Sequence, residues 1–177
     1  MKPPQMFETQ RLILRLPVTE DAVMIFKQYA QDLEVAKYTG WRPHKSIEET
    51  HAFVSRCLSV WADAAAFPYA LIRKDNAELV GMVEIRINQF KADVGYVLAK
   101  SEWGKGYMPE AVQALVDWAL GQEEIFRVWA VCDLENPASA RVMEKVGMQK
   151  EGILKRWFIH PNISSVPRDC YCYAVSK

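Results

Sequence analysis

Apolar and polar positions alternate over Arg11-Leu12-Ile13-Leu14-Arg15, a run of strand formers that Pro17 ends. Glu20–Ala30 then carries apolar residues at Ala22, Val23, Ile25, Phe26 and Tyr29, which predicts a short helix. Ser46 precedes Glu48 and Glu49, whose acidic groups suit a first helical turn, so a second helix is expected to run to about Ala65. Two strands follow, Tyr69–Arg73 and Leu79–Asn88, joined by the polar turn Lys74-Asp75-Asn76-Ala77-Glu78. A third strand starts near Asp93, with Val94, Tyr96 and Leu98 alternating against Gly95, Val97 and Ala99. Met108–Leu120 has Ala111, Val112, Leu115, Trp118 and Ala119 at helical spacing, and Gly121 is its stop. Phe126–Cys132 reads as a buried strand, and Asn136-Pro137 opens a helix that Gly147 closes. Gly152–Phe158 and Cys170–Val175 read as two more strands. The order β-α-α-β-β-β-α-β-α-β-β predicts an α+β or mixed α/β domain around a central sheet.

The turn between the third strand and its helix carries the chemistry. Trp103-Gly104-Lys105-Gly106 joins a strand to a helix opening at Met108-Pro109-Glu110. Such a turn aims several backbone N–H groups and the positive end of a helix dipole at one point, and its glycines let the backbone come close to a ligand. It is an anion cradle, suited to phosphate. A nucleotide P-loop would need Ser or Thr after Gly104-Lys105, where Gly106 stands. A dinucleotide fingerprint would need a third glycine where Pro109 stands.

Composition narrows the partners. The chain has 177 residues, half of them hydrophobic, enough for one domain with a proper core. Its 22 basic and 22 acidic residues cancel, which argues against a dedicated nucleic-acid or anionic-membrane binder. No apolar run approaches the roughly 20 residues of a membrane span. The opening MKPPQMFETQR lacks the apolar core of a signal peptide, so a cytoplasmic protein is expected. Cys57, Cys132, Cys170 and Cys172 form no C-x-x-C pair, and His44, His51 and His160 have no metal-ligand spacing. Buried thiols are expected, with no metal and no disulfide.

The stretch Ser101–Gly106 resembles the pyrophosphate loop of the GNAT superfamily of acyl-CoA-dependent N-acetyltransferases. That loop usually reads Gln/Arg-x-x-Gly-x-Gly/Ala, and Ser101 stands here in place of the leading Gln/Arg. The Trp103-Gly104-Lys105-Gly106-Tyr107 form is similar to the ribosomal-protein-alanine acetyltransferase branch. Asn136, Ser139, Lys145 and Gly147 resemble the family's Asn-x-x-Ser…Glu-Lys-x-Gly-Phe segment, with Met148 in place of Phe. Glu8–Arg15 resembles the opening signature of that branch, and Asp169 and Tyr171 its closing strand. The likeness runs in order over residues 7–175. It implies a single domain over residues 1–177 with the GNAT fold, a central, mostly antiparallel sheet flanked by helices. The implied activity is acetyl transfer from acetyl-CoA, as cosubstrate, to a primary amine.

The resemblance also implies site residues. Val97, Leu98 and Ala99 would lie along the pantetheine arm, with the Leu98 N–H a donor to the thioester carbonyl. Amides of Trp103, Gly104, Lys105, Gly106 and Tyr107 would take the pyrophosphate. The Lys105 side chain either adds charge there or stays solvated. Asn136 faces the pantetheine arm, caps its helix, or both. Many superfamily members carry a tyrosine as acid to the thiolate four residues before the Gly-Phe pair. Here that place holds Met143 or Glu144. The branch instead carries a serine at the position of Ser139, the candidate acid or thiolate partner.

For the base, Glu84 stands out as a carboxylate inside an apolar strand, either near a cleft or paired with Arg86 or a neighbouring strand. Partial burial would raise its pKa toward the range useful for accepting an ammonium proton. An ordered water could serve instead. Glu110 is expected to stabilise a helix dipole. Trp41, Arg42, His44, Trp61, Arg156, Trp157 and Phe158 are candidates for an acceptor groove. The acceptor is expected to be a protein N-terminal α-amine. A small-molecule amine, or a non-catalytic acyl-CoA sensor, is the alternative, and the chain is expected to act as a monomer or homodimer.

Overall fold

The computed structural model describes residues 1–177. The chain opens with a hairpin, β1 (Met6–Glu8) against β2 (Leu12–Arg15), with Phe7 opposite Leu14. The alternation over residues 11–15 predicts β2 but not β1, which is three residues long and depends on β2 for its hydrogen bonds. Helix α1 (Asp21–Ile25) runs directly into a π-helical turn over Phe26–Ala30, so the expected helix is present but widened in its second half. The short helix α2 (Leu33–Ala36) has no apolar period to announce it. Asp32 caps it, Oδ1 accepting from the amides of Glu34 at 2.8 Å and Val35 at 3.2 Å. Helix α3 spans Ile47–Ala62. Glu49 in its first turn accepts from the Lys45 amide at 2.9 Å.

Strands β3 (Phe67–Arg73), β4 (Leu79–Asn88) and β5 (Lys91–Leu98) form an antiparallel meander. A 3-10 turn over Lys100–Glu102 leads to helix α4 (Tyr107–Gly121). Strand β6 (Arg127–Asp133), helix α5 (Pro137–Lys145), β7 (Gln149–Phe158) and β8 (Arg168–Ser176) complete the chain. The sheet order is β1-β2-β3-β4-β5-β6-β8-β7, antiparallel everywhere except between β5 and β6. Those two are parallel because α4 carries the chain back across the sheet between them.

Helices cover both faces. Ala111, Val112 and Leu115 of α4 and Met143 of α5 pack with Tyr69, Ile85, Val94 and Val128 on one side. On the other, Ala22 and Ile25 of α1 and Val54 and Cys57 of α3 pack with Ala70, Leu79 and Met82. Each large side chain so buried contributes about 1.5–3 kcal/mol. Trp61 belongs to the first of these clusters, edge-on to Phe67 at 5.1 Å and Tyr69 at 5.0 Å. It is core, not groove.

One irregularity positions the site. Strands β5 and β6 pair only at Lys91↔Arg127, Ala92↔Val128 and Asp93↔Trp129. Beyond that point β5 stays paired with β4 as far as Gly81↔Leu98, and β6 stays paired with β8 as far as Asp133↔Cys170. Each strand keeps its outer ladder and gives up its inner one, so the sheet opens into a wedge at the carboxyl ends of both. On the other side of β5, Gly81 of β4 makes a close approach: a Cβ there would stand 2.3 Å from the Val97 carbonyl oxygen.

Candidate active site

The wedge continues into a cleft of roughly 940 Å³ whose walls come from both faces of the sheet. Tyr96, Val97 and Leu98 of β5 form one edge, and Val131 and Cys132 of β6 with Asn136, just before α5, and Ser139 of α5 form the other. Beyond Asp93 the inner main-chain groups of β5 have no strand partner on that side, so they are available to an extended, amide-bearing ligand.

The glycine turn lies at the mouth of the cleft. Gly104 (φ +78°) and Gly106 (φ +83°) are both left-handed, and this bends the chain into the first turn of α4. The amides of Gly104, Lys105, Gly106, Tyr107 and Met108 have no acceptor within the protein. They meet the positive end of a helix of fifteen residues. The Trp103 amide is spent in the 3-10 turn, on the Lys100 carbonyl at 3.2 Å. The Trp103 indole turns back to donate to the Leu98 carbonyl at 2.9 Å. Lys105 Nζ lies 3.1 Å from the buried carboxylate of Glu102, so its charge is engaged beside the turn. Ala99 is fully buried and its amide donates to Val80 O at 2.8 Å. Tyr107 is buried too, its ring beneath the Arg11 and Arg73 guanidinium groups. These two residues can serve the site through main-chain atoms only.

Asn136 is the N-cap of α5, its Oδ1 accepting from the Ser139 amide at 3.2 Å, with Pro137 in the first helical position. The Ser139 hydroxyl lies 2.8 Å from the Tyr96 hydroxyl. Burial, partly offset by that bond, pushes the Tyr96 phenol up. On the opposite face Glu84 lines the cleft and is bonded to the Arg86 guanidinium, which also donates through Nε to Asp93 Oδ2 at 2.7 Å. Of the two environments open to Glu84 from its sequence, it therefore occupies both. Burial first, and then the Glu84 charge, push the neighbouring Cys57 thiol up to about 12.

The acceptor side differs from expectation in membership. Trp41 and Phe158 line the cleft, and His44 packs behind Trp41 at 5.5 Å. Trp157 lies outside it against Trp129, and Arg42 and Arg156 are exposed. Tyr38 bridges toward the end of β6, its hydroxyl donating to the Glu135 carbonyl at 2.7 Å. His160 is buried in the cleft wall with both ring nitrogens lacking a hydrogen bond, 3.5 Å from Asp133. Burial acts to raise the Asp133 carboxyl, but Arg168, with Nε at 2.6 Å, together with the Glu135 amide and the nearby His160, holds that carboxyl below the usual range. Tyr96, Tyr38 and His160 line the cleft although none was a site candidate from the sequence. Only Tyr96 had a signal, its place in the strand that enters the glycine turn. All four cysteines are free and buried, and no group of three metal-ligating side chains is present.

The residues 11–149 match the family described as Acetyltransferase (GNAT) domain. The chain is 28% identical over 173 residues to the uncharacterized N-acetyltransferase YoaA of Bacillus subtilis (strain 168), covering 96% of each. It is 25% identical over 162 residues to the [ribosomal protein uS5]-alanine N-acetyltransferase of Escherichia coli (strain K12), covering 85% of this chain and 81% of that one. Among solved structures, the microcin C7 self-immunity acetyltransferase MccE, in complex with acetyl-CoA and AMP, superposes with a TM-score of 0.88. The match there covers 99% of this chain and 98% of MccE, at 20% identity. The chain belongs to the GNAT family and has its fold: it is an N-acetyltransferase.

Proposed function

We propose that the protein transfers the acetyl group of acetyl-CoA to a primary amine, and that the amine is a protein N-terminal α-amine. The observation that carries the cosubstrate is the row of five unpartnered amides, Gly104–Met108, at the head of α4 beside the opened edge of β5. Acetyl-CoA supplies the activated acetyl thioester. Gly104, Lys105, Gly106 and Tyr107 amides hold its pyrophosphate, and Trp103 shapes the turn. The β5 edge at Val97 and Leu98, with Ala99 just past its end, lies along the pantetheine arm, and the Leu98 N–H donates to the thioester oxygen. Asn136 fixes the start of α5 beside that arm. Ser139 donates to the departing sulfur, and Glu84, on the opposite wall, accepts the proton of the attacking ammonium.

The α-amine is supported by the E. coli relative, named for an alanine N-terminus, and by a groove walled with Tyr38, Trp41 and Phe158 rather than a run of carboxylates. A polycationic amine would find no acidic trough there. We read residues 1–177 as one domain, since all eight strands join one sheet. Four buried free thiols suit a reducing, cytoplasmic setting, and no helix is long and apolar enough to cross a membrane.

Two measurements test this reading. Thermal unfolding with acetyl-CoA, CoA, ATP and NAD in parallel should show a shift of about 5–10 °C with the first two alone at about a hundred times Kd. Thiol release with peptides beginning in Ala or Ser, against an aminoglycoside and a polyamine, should favour the peptides. A preference for the small amines would move the acceptor to a small molecule, and ATP binding without CoA binding would remove the cosubstrate.

A further inference from the structure

Tyr96 and Ser139 come from distant parts of the chain, yet their hydroxyl oxygens are 2.8 Å apart at the edge of the cleft. The phenol oxygen is also 3.1 Å from the Ser139 carbonyl oxygen. Ser139 is thus held twice, its amide by Asn136 Oδ1 at 3.2 Å and its hydroxyl by Tyr96. A serine in the first turn of a helix ordinarily turns its hydroxyl to a nearby backbone group. Here a strand residue takes that hydroxyl instead. We infer that Tyr96 is a positioning residue for acetyl transfer, whose phenol frees and aims the Ser139 hydroxyl toward the sulfur that leaves.

The donor count supports this. Two hydroxyls bring two protons to three acceptors, the Tyr96 oxygen, the Ser139 oxygen and the Ser139 carbonyl. That carbonyl stands inside α5, where the helix ladder supplies a donor of its own. The phenol proton can therefore turn from the carbonyl to Ser139 Oγ without stranding a buried acceptor. Once it does, the serine proton has no partner in the pair and points into the cleft. Burial pushes the Tyr96 phenol up, so it stays a donor across the neutral and mildly alkaline range. The titratable group facing it from β6 is Cys132, whose own thiol burial pushes up to about 12 and so keeps uncharged.

The inference rests on the reading of acetyl-CoA in the wedge. In the transfer, the amine nitrogen bonds to the acetyl carbon, the carbon–sulfur bond breaks, and its electron pair leaves on sulfur. The amine proton passes to Glu84 or to water. Ser139 donates a hydrogen bond to the new thiolate and keeps its proton, as does Tyr96, and the thiolate later takes a proton from solvent. Hydrogen bonds to a charged partner are the strong ones, so the pair acts where charge develops.

The test needs no acceptor amine. Calorimetric titration of CoA and of acetyl-CoA into the wild type, Tyr96→Phe, Ser139→Ala and the double variant is run at pH 6.5 and pH 9. A thiol with an ordinary pKa near 8.5 is mostly ionised at the higher value. The wild type should bind CoA more tightly, relative to acetyl-CoA, at pH 9 than at pH 6.5. Tyr96→Phe should cut that gain by roughly tenfold, with acetyl-CoA affinity held within about twofold. Ser139→Ala, which leaves the phenol packed in place, should cut it as far, and the double variant no further. An intact gain in Tyr96→Phe, or equal losses of CoA and acetyl-CoA, would overturn the positioning role. An intact gain in Ser139→Ala would overturn it from the other end of the same bond. Wild-type protein that binds neither CoA nor acetyl-CoA would instead remove the cosubstrate reading, before any variant is compared.

Discussion

Arg11 braces the glycine turn from the far end of the chain: its Nη1 donates to the Lys105 carbonyl at 2.9 Å while its Nε lies 2.7 Å from Glu110 Oε2. The Arg11 amide and the Thr9 hydroxyl complete the clamp on Glu110 Oε1, at 2.7 and 2.6 Å. Glu110 in the first turn of α4 thus serves the helix dipole and also fastens the β1–β2 hairpin to the cradle.

Removing the brace should loosen the cradle more than the fold. The pair is partly exposed, so Arg11→Ala should cost only about 1 kcal/mol of stability. The Kd for CoA should rise about fivefold, because the Lys105 carbonyl loses its anchor. Arg11→Lys should recover little of it, since an ammonium cannot span both acceptors as a guanidinium does. Calorimetry on the three proteins checks this, and an unchanged Kd would detach Arg11 from the site.

Acid should weaken the molecule through its clamped carboxylates. In Glu110 burial acts upward, but the Thr9 and Arg11 hydrogen bonds hold the carboxyl below its ordinary value. Asp133 follows the same pattern with Arg168. Both folded values lie below the unfolded ones, about 4.3 for Glu110 and about 3.9 for Asp133. Their stabilisation is therefore complete above those unfolded values and is lost as pH falls through the folded ones. Wild-type Tm should drop steadily from pH 5 downward. Asp133→Asn should start about 5 °C lower at pH 7 and lose less over the same interval. Parallel curves would refute the assignment.

Glu84→Gln keeps the shape of the cleft wall and removes the proposed proton acceptor. It should lower kcat about a hundredfold with little change in KM for acetyl-CoA, measured by thiol release. Full turnover would transfer the base role to an ordered water.

Gly81→Ala should damage the site through the sheet. The added Cβ meets the Val97 carbonyl oxygen at 2.3 Å, and that atom is backbone, so β5 itself must move. A loss of about 2–3 kcal/mol in urea unfolding is expected, with weakened acetyl-CoA binding. Gly121→Ala, where nothing lies within 4 Å of the new methyl, is the neutral control.

Much of this was legible along the chain because it is local. Residue patterning and capping signals located seven of eight strands and the four helices α1, α3, α4 and α5, and Gly104 and Gly106 announced the left-handed turn before α4. The capping role of Asn136 followed from its place before Pro137. Short elements escaped: β1 exists only because β2 lies beside it, and α2 is held by one Asp32 cap. Trp61 and Trp157 could not be assigned to core or groove from residue type, since an aromatic suits either until its neighbours are known.

The family, the order of the longer elements and the glycine turn before α4 were readable along the chain, since these depend on residues a few positions apart. The remaining geometry of the cleft depends on how distant segments pack. The wedge arises because β5 and β6 each keep a different outer partner. The Tyr96–Ser139 contact crosses 43 positions, and the Arg11 brace crosses 94. Such contacts carry no periodic signal; they form where the sheet's register and the crossover of α4 bring distant segments together.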